Sequence, residues 1–264
     1  MAPPSRRRAE IARLVRTFDR SAGAYERGRP GYPPAAVRFL AREFGLGRGS
    51  TVVEIGSGTG KFTRALQATG AAIVAVEPLE GMRREFHRQL PDVLVLPGRA
   101  EDLPVPDGFA DAVFAAQAFH WFEGAASVRE IARVLRPGGG LGLVWNNRDT
   151  RLPWTRAINR VFDQYGLHRA YRGTSLWRPL RRPGSPFLPP KKRVFRFVQK
   201  TTPVAIRDRV LSVSVIQARG PAVRRVVAAR VAEILAHDPA TRGRRSLTMP
   251  YETDVFYTHL RRRR

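Results

Sequence analysis

With 264 residues, 43% of them hydrophobic, the chain has apolar material for one large core, or for one core with an appendage. No apolar run approaches bilayer length and there is no cysteine, which excludes membrane-spanning helices, disulfides and thiolate metal sites and points to a soluble protein of a reducing cytoplasm. The formal charge of +25 invites a nucleic-acid partner, but only four of the 47 basic residues are lysine, and the arginines are spread over most segments without interleaved aromatics.

The N-terminal run MAPPSRRRAEIARLVRTF is arginine-rich like a transit peptide, yet Glu10 and Asp19 fall in the same amphipathic stretch and no secretory segment follows. Ile11, Leu14, Val15 and Phe18 recur at helical spacing over 8–18, and SAGAYERGRPGYPP then breaks into an ordered loop. Pro34 opens a helix carrying Val37, Phe39, Leu40 and Phe44. Beyond it the pattern gives strand 51–56, helix 61–69, strand 72–77, helix 80–89 and strand 93–97. Strand 111–116, helix 124–135 and strand 140–145 follow, with RPGGG at 136–140 as a glycine-rich stop. Such alternation predicts an α/β fold, a parallel sheet with helices on both faces.

After residue 150 the pattern changes. A helix over 153–165 precedes a proline- and arginine-rich surface loop or insertion at 177–193, then a strand at 194–199. Pro221 opens a helix whose apolar face is Val223, Val226, Val227, Val231, Ile234 and Leu235, and SLTMPYETDVFYTHL reads as a closing pair of short strands. The implied organisation is an N-terminal helix and lid over 1–34, a core over 35–150, and a C-terminal part over 151–264 with a substrate-side cap at 151–245. There is no internal repeat and no histidine spacing that suits a metal, so no metal site is expected.

VVEIGSGTGKF at 52–62 puts three alternate glycines after an apolar strand and before a helix, the arrangement that offers backbone N–H groups to a nucleotide-like ligand. A P-loop needs its first glycine where Ile55 stands and a Ser or Thr where Phe62 stands. A dinucleotide fingerprint needs a small residue where Lys61 stands. Neither pattern fits.

What remains, Glu-x-Gly-x-Gly-x-Gly, resembles the class I S-adenosylmethionine-dependent methyltransferases, in particular the small-molecule branch of trans-aconitate-type enzymes. The resemblance covers most of 18–150 and, more loosely, the C-terminal third. It implies a Rossmann-like seven-stranded sheet with S-adenosyl-L-methionine as cofactor. Gly56, Gly58 and Gly60 would let the loop approach the methionine and ribose portion, with Ser57 between them, and Glu54 would stand near the amino group. Glu77, ending the second strand in AVEPLEGM, corresponds to the acid that accepts both ribose hydroxyls, with Pro78 beside it. Two acceptor oxygens suit two vicinal donors. In GRAEDLP, Ala100 and Glu101 match the adenine-contacting turn, although Glu101 and Asp102 also suit a plain turn or helix cap.

On the acceptor side, FDRSAGAYERGRPGYP resembles a segment folding over the cofactor. Tyr25 offers a ring face to a sulfonium and Arg29 a fork to a carboxylate, while Phe18, Tyr25 and Tyr32 would equally serve to staple the loop to the core. AAQAFHWF at 115–122 ends the fourth strand at the ligand-binding edge, which brings Gln117 to the cofactor and His120 and Trp121 beside the methyl group. His120 is expected to be the general base, and Arg148, just past the fifth strand, to meet an acidic acceptor. The expected activity is in-line methyl transfer to a small molecule by a monomer or homodimer with no membrane partner. A nucleic-acid methyltransferase, invited by the charge but lacking the aromatic-proline signature of such enzymes, and a catalytically silent cofactor-binding protein are the alternatives.

Overall fold

The computed structural model describes residues 26, 29–165 and 180–262, so the helix expected over 8–18 and Tyr25 lie outside the described residues. Seven strands form one sheet: β1 (Thr51–Ile55), β2 (Ala72–Val76), β3 (Leu94–Leu96), β4 (Ala110–Ala116), β5 (Leu135–Arg148), β6 (Lys191–Thr201) and β7 (Leu247–His259). Their order is β3-β2-β1-β4-β5-β7-β6. β1 to β5 are parallel, with Val53 opposite Val74 on β2 and Val113 on β4. The chain winds outward from β1 in both directions, and a ligand of such a sheet binds beyond the carboxyl ends at that switch.

The chain divides into two compact units. One holds the described residues of Gly31–Asn147, Arg172–Arg196 and Glu252–Arg264, the other those of Met1–Pro30, Arg148–Tyr171 and Phe197–Tyr251.

In the first unit, alternate side chains of the strands serve two apolar layers, as the two-residue period of a strand demands. Val53, Ile55, Val113, Ala115, Leu141 and Leu143 pack against Val128, Ile131 and Val134 of α4 (Gly124–Val134). Val52, Ala112, Phe114 and Val144 pack on the other face, against Val37 and Leu40 of α1 (Pro34–Glu43) and Phe62 and Leu66 of α2 (Lys61–Leu66). α3 (Glu80–Gln89) buries Phe86 against Ala75 of β2. Burial on both faces explains why these strands read as continuous apolar runs. The Rossmann-like, doubly covered sheet expected from the sequence is present.

The second unit is built on α5 (Pro153–Asp163), α6 (Pro203–Leu211), α7 (Ser214–Gln217) and α8 (Gly220–His237). Trp154, Ile158 and Phe162 of α5 meet Ile206 and Val210 of α6, Val227, Val231 and Leu235 of α8, and Leu247, Met249 and Tyr251 of β7.

Three sequence expectations are corrected, and two helices lie beyond them. The closing pair of strands is one strand, β7, of 13 residues. Pro250 lacks the N–H of a ladder partner but still accepts from the Asp149 N–H at 3.0 Å, so the strand passes through it unbroken. The glycine stop is the start of β5, whose pairing jumps from Ala110–Leu135 to Ala112–Gly140, with the intervening residues bulged out. α6 and α7 were not anticipated. Val226 is 63% exposed, because the buried face of α8 is the narrower stripe of Val227, Val231 and Leu235.

Candidate cofactor and acceptor site

The glycine loop joins β1 to α2 at the carboxyl edge of the sheet. Gly56, Gly58 and Gly60 have φ of 68°, 58° and 86°, left-handed values that a side chain disfavours, so alternate glycines are what this turn requires. A Cβ on Gly56 would stand 2.6 Å from Ala118 Cβ, whereas one on Gly58 would meet no atom of the described residues within 4 Å. The loop is therefore packed against the segment after β4 at Gly56 and open above Gly58.

Its backbone is anchored to β2. The N–H groups of Gly56 and Ser57 donate to the Val76 carbonyl at 2.8 and 3.3 Å, and that of Gly58 donates to Glu77 Oε2 at 2.9 Å. Glu77 Oε1 accepts from the Leu79 N–H at 3.0 Å. Glu77, 5% exposed, is thus held across the loop by a backbone donor on each carboxylate oxygen. Arg83 braces the turn by donating to the carbonyls of Glu77 and Pro78, both at 2.8 Å, and Pro78 itself is exposed.

Glu54, the last-but-one residue of β1, is 1% exposed. Its Oε2 accepts the Thr63 hydroxyl at 2.5 Å. Burial, opposed by that hydrogen bond and reinforced by the neighbouring Glu77 charge, pushes the Glu54 carboxyl up to about 8. Thr63 escaped the sequence reading; its only signal was a hydroxyl on the first turn of the helix that follows the glycines.

Ala100 is buried beside β3, and Glu101 is committed within the protein: its Oε1 accepts the Glu123 N–H at 2.7 Å and its Oε2 lies 3.5 Å from Arg99 Nε. This ties the turn after β3 to the start of α4. Asp102 forms a backbone bridge with Arg99.

Beyond β4, Gln117 has φ 57°, the one positive value outside glycine among the described residues. Such a conformation costs on the order of 1–3 kcal/mol and persists only where its surroundings fix it. Here the Gln117 side-chain amide donates to the Asn146 carbonyl at 2.9 Å, and its backbone N–H donates to Val144 at 2.8 Å. Asn146 is a hub that sequence reasoning passed over. It donates to the Gly31 carbonyl at 2.8 Å and accepts the Thr253 hydroxyl at 2.6 Å, drawing together the segment before α1, β5 and β7. His120 and Trp121 follow in a short 3-10 turn, Phe119–Trp121, with ring centroids 4.7 Å apart. Both ring nitrogens of His120 are shielded from solvent.

In the second unit, Arg148 is half-buried. Its Nε donates to Asn159 Oδ1 at 2.5 Å and its guanidinium carbon lies 4.2 Å above the centre of the Phe162 ring. Burial draws its pKa down to about 10, Arg29 adds to that, and Tyr251 and Asp163 oppose it. Arg29 and Arg148 therefore lie within electrostatic reach of each other.

The residues at the loop fit an S-adenosylmethionine-like ligand. A buried Ser57 hydroxyl has no hydrogen-bond partner among the described residues, the space over Gly58 is open, and the Glu77 carboxylate stands at the strand tip. A buried polar atom of this kind is normally satisfied by protein, water or ligand.

Residues 53–143 match the family model described as a methyltransferase domain. An uncharacterized methyltransferase of Mycobacterium tuberculosis is 38% identical over 237 residues, 90% of this chain and 93% of that protein. A solved structure from Anaeromyxobacter dehalogenans, assigned to the type II methyltransferases, superposes with a TM-score of 0.64 at 24% identity, covering 89% of this chain and 99% of the other. A phosphoethanolamine N-methyltransferase from Haemonchus contortus, solved with phosphomonomethylethanolamine and S-adenosylhomocysteine, superposes with a TM-score of 0.57 at 17% identity over 95% of this chain and 59% of the other. With the fold, the loop and these relatives together, the chain belongs to the class I S-adenosylmethionine-dependent methyltransferases.

Proposed function

We propose that the protein transfers the methyl group of S-adenosylmethionine to a small acidic molecule, as the trans-aconitate-type branch of the family does. The observation that carries the acidic acceptor is Arg148, a guanidinium seated on Phe162, fixed through its Nε by Asn159 and close in charge to Arg29. With Nε engaged, the two terminal nitrogens remain as the fork that a carboxylate accepts. A fixed fork loses little conformational entropy on binding.

At the loop, Glu77 is the proposed acceptor of the ribose hydroxyls, Glu54 the acid nearest the amino group, and Ser57 a further donor. Ala100, Glu101 and Gln117 complete the cofactor side, with Glu101 reaching an adenine amine only through an oxygen not spent on the Glu123 N–H. When bound, the cofactor supplies an electrophilic sulfonium methyl. The chain's own residues then orient the acceptor, exclude water and take up any proton it must lose. His120 is the proposed base, with Trp121 beside the acceptor. Because its ring nitrogens are shielded, a turn of the imidazole would accompany acceptor binding.

The test is a side-by-side screen of acidic and neutral metabolites, RNA and DNA with methyl-labelled cofactor. Label transfer to an acid, lost in Arg148→Gln, supports the reading. Transfer confined to RNA or DNA would sink it and turn attention to the +25 charge.

A further inference from the structure

Two carboxyl groups are buried together at the tips of adjacent parallel strands, and burial disfavours the ionised form of each. Glu54 is 1% exposed and Glu77 5% exposed. Their protein partners are unequal. Glu77 takes two backbone N–H donors, from Gly58 and Leu79. Among the described residues, Glu54 takes the Thr63 hydroxyl, on Oε2.

Among the described residues, burial, the Thr63 hydroxyl and the Glu77 charge set the ionisation of Glu54. Its ladder neighbours are Ala75 on β2 and Phe114 on β4. α2 contributes Thr63, and the turn after β2 contributes the Glu77 carboxylate, which opposes ionisation. Arg83, the cation on that turn, is engaged with the carbonyls of Glu77 and Pro78. An acid so placed, and raised to about 8 chiefly by burial, holds its proton at neutral pH.

We propose that Glu54 is a proton-coupled counter-charge for the cofactor: protonated in the cofactor-free protein, it gives its proton to solvent when a cationic group of the ligand enters the glycine loop. This rests on the reading that the loop holds S-adenosylmethionine. No bond other than O–H breaks, and the incoming positive charge replaces the departing one. Cofactor loading is then favoured by alkaline conditions, and Thr63 sets the window because its hydrogen bond favours the ionised acid.

The experiment is titration calorimetry of the full chain with S-adenosylmethionine and with S-adenosylhomocysteine, in buffers of different ionisation enthalpy, at pH 7 and pH 9.5. The α-amine of either ligand titrates in the same range, so the count is read as the difference between wild type and Glu54→Gln at each pH. That difference is expected to be release of most of a proton at pH 7 and nearly none at pH 9.5, with the affinity of the wild type relative to Glu54→Gln rising about tenfold between them. Thr63→Val, which keeps the shape and removes the donor, moves the release to higher pH. Release with both ligands identifies the ammonium as the displacing charge, and release with S-adenosylmethionine alone identifies the sulfonium; either result carries the proposal. Equal proton counts for wild type and Glu54→Gln at pH 7 overturn it while leaving the cofactor reading intact. If neither ligand binds the wild type, the cofactor reading falls and the proposal with it.

Discussion

The N–H of Gly58 donates to the Glu77 carboxylate across 2.9 Å, so the middle of the glycine loop and the end of β2 form one piece before any ligand arrives. The loop need not search for the acid. This pre-organisation saves ordering cost at the moment of binding.

Gly58→Val is expected to abolish cofactor binding while the protein stays folded. A Cβ at this position meets no atom of the described residues within 4 Å, so the new side chain occupies the space above the loop. The positive φ adds strain of ~1–2 kcal/mol, worth a fall in melting temperature of several degrees. Circular dichroism and calorimetry together check this; loss of the fold would make the glycine run structural.

For His120→Ala, kcat is expected to fall by about 100- to 10,000-fold with cofactor affinity nearly unchanged, the usual contribution of a positioned base. If the methylated atom is already a carboxylate oxygen, no proton leaves and the loss is smaller. The check is kcat against pH for both proteins once an acceptor is identified. A flat wild-type profile between pH 5 and 8, with an undiminished variant rate, would remove His120 from the mechanism.

Arg148→Gln should raise the KM for an acidic acceptor by about 10- to 100-fold, the range of a lost charged hydrogen bond of ~1.5–3 kcal/mol. Cofactor affinity should hold. A variant whose acceptor KM is unchanged, with only its melting temperature lowered, would make the stacking on Phe162 a packing contact and no more.

Glu54 also makes stability depend on pH. Its folded-state pKa, about 8, lies above the ordinary 4.5, so its contribution is fully present below about pH 4.5 and is lost as pH rises through 8. Removing the ionisable group should therefore make the cofactor-free Glu54→Gln variant gain on the wild type between pH 5 and pH 9, by an amount on the order of a few kcal/mol. Melting temperatures at the two pH values measure this, and parallel curves would contradict it.

Much of the first unit was legible because its signals are local. The strand, glycine turn and helix over 51–66 follow one another without interruption, and the acid at Glu77 ends the next strand. Asn146 was not legible: its partner Gly31 is 115 residues away and nothing local marks the pair. Nor was the engagement of Glu101 by the Glu123 N–H, a backbone donor that no side-chain pattern reveals. α6 carried a usable signal, Thr202 before Pro203, and the Thr202 hydroxyl does cap it by accepting from Ala205 at 3.1 Å. Its nine residues bury few apolar side chains at regular spacing, so no periodicity announced it. β7 reads as two strands in sequence, and the structure runs it unbroken through Pro250, whose missing N–H a ladder tolerates at one position.

Calorimetric titration of S-adenosylhomocysteine into the wild type and Glu77→Ala asks whether the β1–α2 loop and Glu77 hold S-adenosylmethionine. The variant removes the acceptor proposed for both ribose hydroxyls and also releases the Gly58 N–H. Wild-type binding with a loss of ~1.5–3 kcal/mol or more in the variant is the expected result, since charged hydrogen bonds are at stake. Equal affinity in the two folded proteins would contradict the account and put the ribose elsewhere.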